Sequence, residues 1–391
     1  MTILCFADTR FPIERANGLQ TMATCCALSR RGHHVTLVVR PDTAAVPRDP
    51  FAFYGEPPAP NVRVTSVPAS GGRTGRVRFL LTALALARAD GTAVVYTRDL
   101  GVAAFLLQVP LARRPRIVYE AHGVSAVVAE EMPALLGNAA LAPSARKLRR
   151  LERRERRVWR RAAACVTVTR ALAAELDTRH GPRSSVFVVP DGARPDRPLE
   201  AVPAGAPPTV GYAGHLYPWK GVDVFVRALA LAPALSGLIV GGHPQETDRI
   251  RIEHLARGLG VRSRIEFTGL VPPREVRAAL VRASVLVLPN TASAISARYT
   301  SPLKLFEYLT TGRPIVASDL PAIREVLADG QTAILAPAGD APALAAALTR
   351  VAVDAALAAR LGAASHALSA SYSWDARAAR LEPALDAAAR A

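Results

Sequence analysis

The feature that most constrains the fold of this chain is a rhythm of short apolar runs that alternate with helical patterns, and it occurs twice. In the first half the runs are "TILCFA", "HVTLVVR", "AVVYT", "RIVYE", "CVTVT" and "VFVVP". In the second half they are "TVGYAG", "SGLIVGG", "RIEFTG", "SVLVLPN", "PIVAS" and "AILAP". Strands that are apolar on both faces belong to parallel sheets covered by helices. Each half therefore predicts a doubly wound α/β domain.

A segment rich in Pro, Gly and Ala separates the two series. Residues 190–208 have the sequence "PDGARPDRPLEAVPAGAPP" without an apolar period, which is typical of a linker. We predict one Rossmann-like domain over residues 1–190, a linker over residues 191–208 and a second Rossmann-like domain over residues 209–373. Ligands of open α/β sheets bind beyond the carboxyl ends of the strands, so two such domains facing each other would form an interdomain cleft.

Composition and the first residues favour a cytoplasmic protein. The four cysteines form no CxxC motif and no metal-ligand spacing, so we expect reduced, buried thiols. The opening "MTILCFADTR" lacks a basic region before its apolar run, and we expect no signal peptide. The runs "FLLTALALA" and "VAAFLLQVPLA" are shorter than the ~18 residues that a transmembrane helix needs.

A lysine stands in an unusual place within "TSPLKLFEYLTTGRP", residues 300–314. Ser301 and Pro302 suit the N-cap and first position of a short helix, so Lys304 would lie in the first turn, where the helix dipole disfavours a cation. A Lys304–Glu307 pair at the surface would stabilise the helix by only ~0.3 kcal/mol. The other interpretation is an anionic ligand, because a helix N-terminus with an added lysine suits a phosphate.

A second basic loop supports the ligand interpretation. "GYAGHLYPWKGVD", residues 211–223, follows the first strand of the second domain. Gly211 and Gly214 allow a close approach of the backbone, and Lys220 follows at the same carboxyl edge. The loop matches neither the Walker pattern nor the GxGxxG fingerprint. Lys220 alone would be interpreted as a solvated loop lysine, but Lys220 and Lys304 together favour a shared diphosphate.

The segments "GYAGHLYPWKG", "FTGLVPPREV" and "SPLKLFEYLTTGRPIVASDLPAIREVL" resemble the carboxyl-terminal domain of family 4 (group 1) retaining glycosyltransferases of the GT-B fold. "ERANGLQTMATCCALSRRGHHVTLVV", "IVYEAHG" and "YSWDARAARLEPAL" are similar to other parts of that family, so the resemblance covers nearly the whole chain. It implies an acceptor-side first domain and a second domain that binds a nucleotide sugar. It also implies that residues 374–391 form a helix that crosses back to the first domain.

The resemblance assigns roles residue by residue. His122 would contact the transferred sugar, Lys220 the distal phosphate and Glu307 the ribose, and these three are the predicted catalytic group. The further residues predicted to line the donor site are Gly18, Gly214, His215, Gly269, Leu270, Val271, Tyr299, Thr300, Ser301, Pro302, Leu303 and Lys304. Among them, the backbone of residues 300–303 would hold the diphosphate and that of residues 269–271 the nucleobase.

Two positions depart from the family pattern. The family often has a Glu-x7-Glu pair, and Tyr299 stands where the first glutamate is usual. His215 is nearest to the place of the usual arginine. These departures leave two alternatives open: a catalytically silent protein that binds nucleotide sugars or docks at a membrane, and a nucleotide-sugar epimerase. An epimerase would need a carboxylate near the sugar, which His122 and Tyr299 do not supply.

The expected chemistry uses neither a metal nor another cofactor. Lys220, Lys304 and backbone N–H groups can stabilise a leaving diphosphate as preorganised electrostatics. No DxD motif is present anywhere in the sequence. This argues against the other common glycosyltransferase fold, which holds its diphosphate through a divalent ion. Because retention in this family is usually attributed to front-face attack, we name no protein nucleophile.

The densest charge run, residues 144–161, reads "SARKLRRLERRERRVWRR" and contains ten Lys or Arg residues. Leu148, Leu151, Val158 and Trp159 form an apolar stripe, so we predict a domain helix with its cations in water. The net charge of +17 also suits an anionic membrane surface. We expect a sugar, lipid-linked or small-molecule acceptor and peripheral contact with the inner membrane face. We expect no nucleic acid, since basic–aromatic interleaving is absent from the sequence.

Overall fold

A computed structural model describes residues 1–68, 72–200, 207–242, 247–272 and 275–391, without the side chains of residues 72 and 73. The chain divides into two compact units. Unit 1 comprises Met1–Ala129, Pro143–Gly192 and Trp374–Ala391, and unit 2 comprises Glu130–Ala142 and Ala193–Ser373. This grouping differs from the predicted uninterrupted domain over residues 1–190, because residues 130–142 group with unit 2. Residues 201–206 of the predicted linker lie outside the described residues.

Unit 1 is built on a parallel seven-stranded sheet in the order β3-β2-β1-β4-β5-β6-β7. Its strands are β1 Thr2–Arg10, β2 His34–Arg40, β3 Val62–Ser66, β4 Val94–Thr97, β5 Arg116–Ala121, β6 Ala164–Thr167 and β7 Val186–Val188. Its helices are α1 Ala16–Arg30, α2 Pro50–Tyr54, α3 Gly72–Ala89, α4 Leu100–Leu106, α5 Ser125–Leu135, whose residues from Glu130 group with unit 2, α6 Ala145–Arg161 and α7 Arg170–His180. The final helix, which is numbered α15 in chain order and spans Trp374–Arg390, packs on α1, β5, β6 and β7.

Unit 2 is built on a parallel six-stranded sheet in the order β10-β9-β8-β11-β12-β13. Its strands are β8 Thr209–Ala213, β9 Ser236–Val240, β10 Ile265–Gly269, β11 Val285–Leu288, β12 Ile315–Asp319 and β13 Ile334–Pro337. Its helices are α8 Val222–Leu231, α9 Thr247–Gly258, α10 Val276–Ala279, α11 Leu303–Leu309, α12 Pro321–Arg324, α13 Ala341–Val353 and α14 Ala355–Ser369. Two clusters of buried apolar side chains form its core, as expected for a parallel sheet that is apolar on both faces.

The short α11 helix begins differently from the prediction. Its N-cap position is Pro302, with φ −75° and ψ 119°, and no side chain caps it. Ser301 therefore lies outside the helix, because the backbone stays extended through the proline. Lys304 still lies in the first turn. A π-helical turn, Ile295–Tyr299, precedes this extended stretch, and π-helical turns frequently occur at functional sites.

The basic run forms α6 as predicted. Ser144 caps its start by accepting a hydrogen bond from the Lys147 amide at 3.2 Å. Val158 and Trp159 are buried, whereas all ten Lys and Arg side chains are exposed. The helix therefore packs one narrow apolar stripe and presents a dense cationic surface to solvent.

Candidate functional site

Four predicted donor-site residues define what we call the Lys304 cluster: Gly214, Lys220, Lys304 and Glu307. Gly214 directly follows β8 with φ 125°, a backbone conformation that residues other than glycine rarely adopt. A Cβ atom at Gly214 would lie 3.1 Å from Nζ of Lys304 and 3.3 Å from Cε. The glycine is thus required by the backbone conformation, and the end of the Lys304 side chain lies close to the place where a side chain would begin.

Lys304 is a buried cation. Its residue is 8% exposed, its Nζ lies 3.7 Å from the centroid of the Tyr212 ring, and it has no hydrogen-bond partner among the described residues. Burial lowers the pKa of Lys304 well below its ordinary value, and the charge of Lys220 lowers it further. A buried, unpartnered ammonium is costly, so this arrangement suits an anionic ligand that completes it.

Lys220 ends the 3-10 turn Pro218–Lys220, and Gly221 continues the chain with φ 69°. Burial lowers the pKa of Lys220 to about 8. Glu307 lies one turn after Lys304 on α11, and burial raises its pKa, a shift that the Lys304 charge opposes. The cluster therefore combines two lysines whose positive charge burial disfavours with a carboxylate, Glu307, that interacts electrostatically with Lys304.

Most of the remaining predicted donor residues of unit 2 lie in two segments, residues 269–271 and residues 299–303. Gly269 ends β10 with φ 74°, and its carbonyl accepts a hydrogen bond from the Gly241 amide at 2.9 Å. Leu270 is 38% exposed after it, and Val271 is partly exposed. Pro302 and Leu303 are buried, whereas Thr300 and Ser301 are partly exposed. Tyr299 is buried in the π-helical turn, at 2% exposure, and Arg298 lies 5.6 Å from its ring centroid.

His215 belongs to an aromatic stack. Its ring lies 5.1 Å from that of Tyr217 with an interplanar angle of 11°, and Tyr217 lies 4.6 Å from Trp219 at 17°. The Trp219 carbonyl accepts hydrogen bonds from the Thr291 amide and from Oγ of Ser296. The loop that carries Lys220 is therefore held by ring stacking and by backbone hydrogen bonds.

In unit 1, His122 follows β5 at the carboxyl edge of the sheet. Its Nε2 lies 2.5 Å from Oε1 of Glu120. Burial and the charge of Arg98 lower the pKa of His122, although Glu120 opposes the shift. Gly18 lies within α1, where a Cβ atom would overlap the Tyr54 hydroxyl. Packing thus accounts for this glycine, and its role toward a phosphate or acceptor stays a prediction.

Sequence reasoning missed the side chains that surround His122. Arg377 of α15 donates to both carboxylate oxygens of Glu120, at 2.9 and 2.8 Å. Gln20 of α1 donates to Oε1 of Glu120 at 2.6 Å and to Oδ1 of Asp191 at 2.9 Å. Two signals could have found this network. "RIVYEA" places a charge in an apolar strand, and Arg377 lies on the apolar face of its helix with Ala378.

The described part of the chain also bears on two other kinds of site, a metal site and a membrane span. There, no group of three or more His, Cys, Asp or Glu side chains is placed to hold a metal ion. No single helix among these residues has both the length and the apolar composition of a membrane span. The segments Ala341–Val353 and Ala355–Tyr372 meet those criteria only as a pair bent by 99°.

Both halves of the chain match models of glycosyl transferase families. Residues 18–192 match the family model of the glycosyl transferase 4-like domain, and residues 207–354 match that of the glycosyl transferases group 1. The 2-deoxystreptamine glucosyltransferase of Streptomyces kanamyceticus is 30% identical over 218 residues, 51% of this chain and 54% of that protein. The chain spans about half, or less, of the length of the curated relatives that it matches.

Solved structures share the fold along nearly the whole chain. Sucrose-phosphate synthase from Thermosynechococcus elongatus has a TM-score of 0.77 at 20% identity, covering 98% of this chain and 97% of that one. HepE of Anabaena, in complex with UDP and glucose, has a TM-score of 0.75 at 17% identity, covering 99% of each chain. The predicted GT-B fold with two doubly wound domains is confirmed. Since the two family models together cover most of the sequence, the chain belongs to the group 1 and family 4-like glycosyltransferases of the GT-B fold.

Proposed function

We propose that the chain is a hexosyltransferase that moves a sugar from a nucleoside-diphosphate sugar to an acceptor hydroxyl, with retention of configuration and without a metal ion. The observation that carries this proposal is the buried ammonium of Lys304, which has no hydrogen-bond partner among the described residues. It lies at the carboxyl edge of unit 2, where ligands of open α/β sheets bind. Membership of a glycosyltransferase family makes a sugar donor the natural anionic ligand.

In this proposal the Lys304 cluster stabilises the leaving diphosphate. The phosphates approach the backbone at Gly214, and Lys304 and Lys220 neutralise the charge that develops as the bond to the sugar breaks. Both lysines bind more tightly when protonated, and the arriving phosphates restore the charge that burial disfavours. The two lysines supply the positive charge that a divalent ion would otherwise supply to the diphosphate. The reaction therefore proceeds in the presence of a chelator.

The other roles are those that the family resemblance assigns. Glu307 binds the ribose, residues 269–271 contact the nucleobase, and the backbone of residues 300–303 holds the diphosphate. Tyr299 stands where the family often has a glutamate, and its burial makes it a wall of the site rather than a charged contact. The subfamily marked by "SPLKLFEY" is proposed on the same basis.

The acceptor is a sugar, a lipid-linked sugar or a small hydroxylated ring compound. Each is a substrate class of glycoconjugate or cell-envelope biosynthesis. The relative from Streptomyces kanamyceticus is named for 2-deoxystreptamine, and this supports a small-ring acceptor here. The cationic surface of α6 supports a peripheral contact with an anionic membrane. An assay of sugar transfer to both acceptor classes distinguishes them.

The test of the donor site is thermal stability against UDP, GDP, ADP, CDP and dTDP, each with EDTA and with magnesium. A ligand at ~100 times its Kd adds about 2.7 kcal/mol of apparent stability. We expect stabilisation by one nucleotide, unchanged by EDTA and reduced in Lys304→Met and Lys220→Ala. Sulfate and pyrophosphate are the controls. Equal stabilisation by every anion would overturn the donor site and favour the catalytically silent alternative.

A further inference from the structure

A network of buried charged groups in unit 1 surrounds the carboxylate of Glu120, which is 1% exposed. Arg377, which is fully buried, donates to both of its oxygens, and the Tyr96 hydroxyl donates to Oε2. Gln20 and His122 both lie within hydrogen-bond distance of Oε1, at 2.6 and 2.5 Å. Each oxygen of the carboxylate therefore has at least two hydrogen-bonding partners.

Glu120 stays ionised in this environment. Burial alone would favour the neutral acid, but the charge of Arg377 and the hydrogen bonds with His122 and Tyr96 outweigh it and hold the pKa of Glu120 well below its ordinary value. An ionised carboxylate only accepts hydrogen bonds. Nε2 of His122, 2.5 Å from Oε1, therefore carries a proton.

The remaining ring nitrogen decides what His122 offers to a ligand. No described residue is hydrogen-bonded to its Nδ1, and the side chain is 23% exposed. The charged groups that face the ring are Glu120 on β5, Arg98 after β4, Asp191 after β7 and, through Glu120, Arg377 on α15. Burial and Arg98 lower the pKa of His122, so the ring is neutral near pH 7 and Nδ1 is an acceptor.

We propose that Glu120 and Arg377 are positioning residues, which hold His122 as the neutral, Nε2-protonated tautomer and so present Nδ1 as an acceptor for a hydroxyl of the transferred sugar. Only the assignment of this hydroxyl to a transferred sugar rests on the proposed function. Arg377 acts through Glu120, 257 positions earlier in the chain. Helix α15 thus serves the site as the carrier of this cation.

The direct test is 15N NMR of the imidazole rings in the full chain. His122→Gln identifies the His122 signals among the eight histidines. We expect a protonated Nε2 and an unprotonated Nδ1 in the wild type, with a midpoint below the ordinary value of about 6.5. A protonated Nδ1 near neutral pH would overturn the proposal.

Arg377→Met tests the positioning role. Without the cation, Glu120 faces His122 uncompensated, so the ring holds its proton more strongly and its midpoint rises by about one unit or more. The exposed Arg390 on the same helix provides the matched control, and Arg390→Met leaves the midpoint unchanged. A midpoint that does not move in Arg377→Met would contradict the proposal.

Arg377 also pairs with Asp191, at 3.6 Å between Nε and Oδ1. Arg377→Met therefore leaves two buried carboxylates, Glu120 and Asp191, without their cation and can unfold unit 1. Two further variants cover that case. Arg377→Lys retains the charge, and we expect a midpoint close to the wild type. Glu120→Gln/Arg377→Met removes both charges, and we expect a midpoint no higher than in the wild type. A raised midpoint in this double variant would refute the assignment to Glu120.

Kinetics separate this inference from the proposed function. With a nucleotide-sugar donor, Arg377→Met lowers kcat at least tenfold and shifts the acidic limb of the pH–rate profile to higher pH. Affinity for the nucleoside diphosphate stays at the wild-type value, because the nucleotide lacks the sugar that His122 contacts. Loss of nucleotide affinity in this variant would contradict the positioning role. A wild-type protein with the expected tautomer that turns over no donor would defeat the proposed function and leave the tautomer assignment standing.

Discussion

At the scale of single residues, the close approach of Gly214 and Lys304 gives a direct prediction. Gly214→Ala places a Cβ atom 3.1 Å from Nζ of Lys304, at a φ of 125°, a sparsely populated backbone conformation that costs ~1–3 kcal/mol for a residue other than glycine. We expect nucleoside-diphosphate affinity to fall about tenfold or more, which corresponds to ~1.4 kcal/mol. Isothermal titration calorimetry measures the affinity.

Gly258→Ala is the matched control, because a Cβ atom there meets nothing within 4 Å and the position lies in α9 of the same unit. It should bind nucleotide as the wild type does. Equal affinity of Gly214→Ala and Gly258→Ala would show that the phosphates do not approach this glycine.

The shifted lysines predict how binding depends on pH. Below the pKa of Lys220, about 8, the Lys220 ammonium is already charged and its own contribution to binding is at full strength. Above it, each binding event must first take up a proton, so affinity falls by up to ~tenfold per pH unit. Lys220→Arg keeps its charge across this range and should weaken the dependence on pH. An affinity that is constant to about pH 9.5 would contradict the dependence of binding on protonated Lys220 and Lys304.

The sequence alone predicts the Lys304 cluster of unit 2 but not the Glu120–Arg377 pair of unit 1. Lys304 was predicted because a cation in the first turn of a helix conflicts with the local dipole, and such a conflict is visible in one short segment. Glu120 and Arg377 were not, because their relation depends on pairing across 257 positions, which no local pattern contains. The predicted roles of the donor residues toward a ligand stay predictions.

At the scale of elements, the cationic surface of α6 predicts binding to vesicles that contain anionic lipid. Four residues near its start, Arg146, Lys147, Arg149 and Arg150, are exposed. Each contributes up to ~1 kcal/mol at an anionic surface. Replacing all four by Gln should lower vesicle affinity at least tenfold in a sedimentation assay, without changing nucleotide affinity.

The control for this variant carries the same change in charge elsewhere. Four exposed arginines on other elements serve, and they are Arg88, Arg113, Arg227 and Arg350. If their replacement by Gln lowers vesicle binding equally, net charge and not α6 is responsible.

The elements themselves were largely predictable. All six strands of unit 2 and six of the seven in unit 1 follow apolar runs found in the sequence. The missed strand is β3, Val62–Ser66, whose residues are all partly or fully exposed and include Arg63. An edge strand of this kind lacks the continuous apolar signal of its neighbours. The start of α11 was displaced because an extended Pro302 precedes it, which composition does not specify.

At the scale of the whole molecule, the net charge of +17 predicts two kinds of anion binding that salt separates. Exposed cations are screened within about 4 Å at ~0.5 M NaCl, whereas the buried Lys304 is screened much less. Stabilisation by sulfate and pyrophosphate should disappear at this salt concentration, and stabilisation by the preferred nucleotide should persist. Thermal unfolding measures both. Parallel loss of the two effects would mean that the nucleotide binds only to surface charge.

The measurement that tests the central claim most directly is release of nucleoside diphosphate from a panel of nucleoside-diphosphate sugars, in EDTA, with water or sugar acceptors. We predict release from one donor by the wild type, with an anomeric configuration retained in the product, and a loss of at least a hundredfold in Lys304→Met. This change keeps most of the side-chain length and removes the charge. Release that is unaffected by Lys304→Met would contradict a diphosphate site built on Lys304, and the absence of release from every donor would contradict the transferase activity itself.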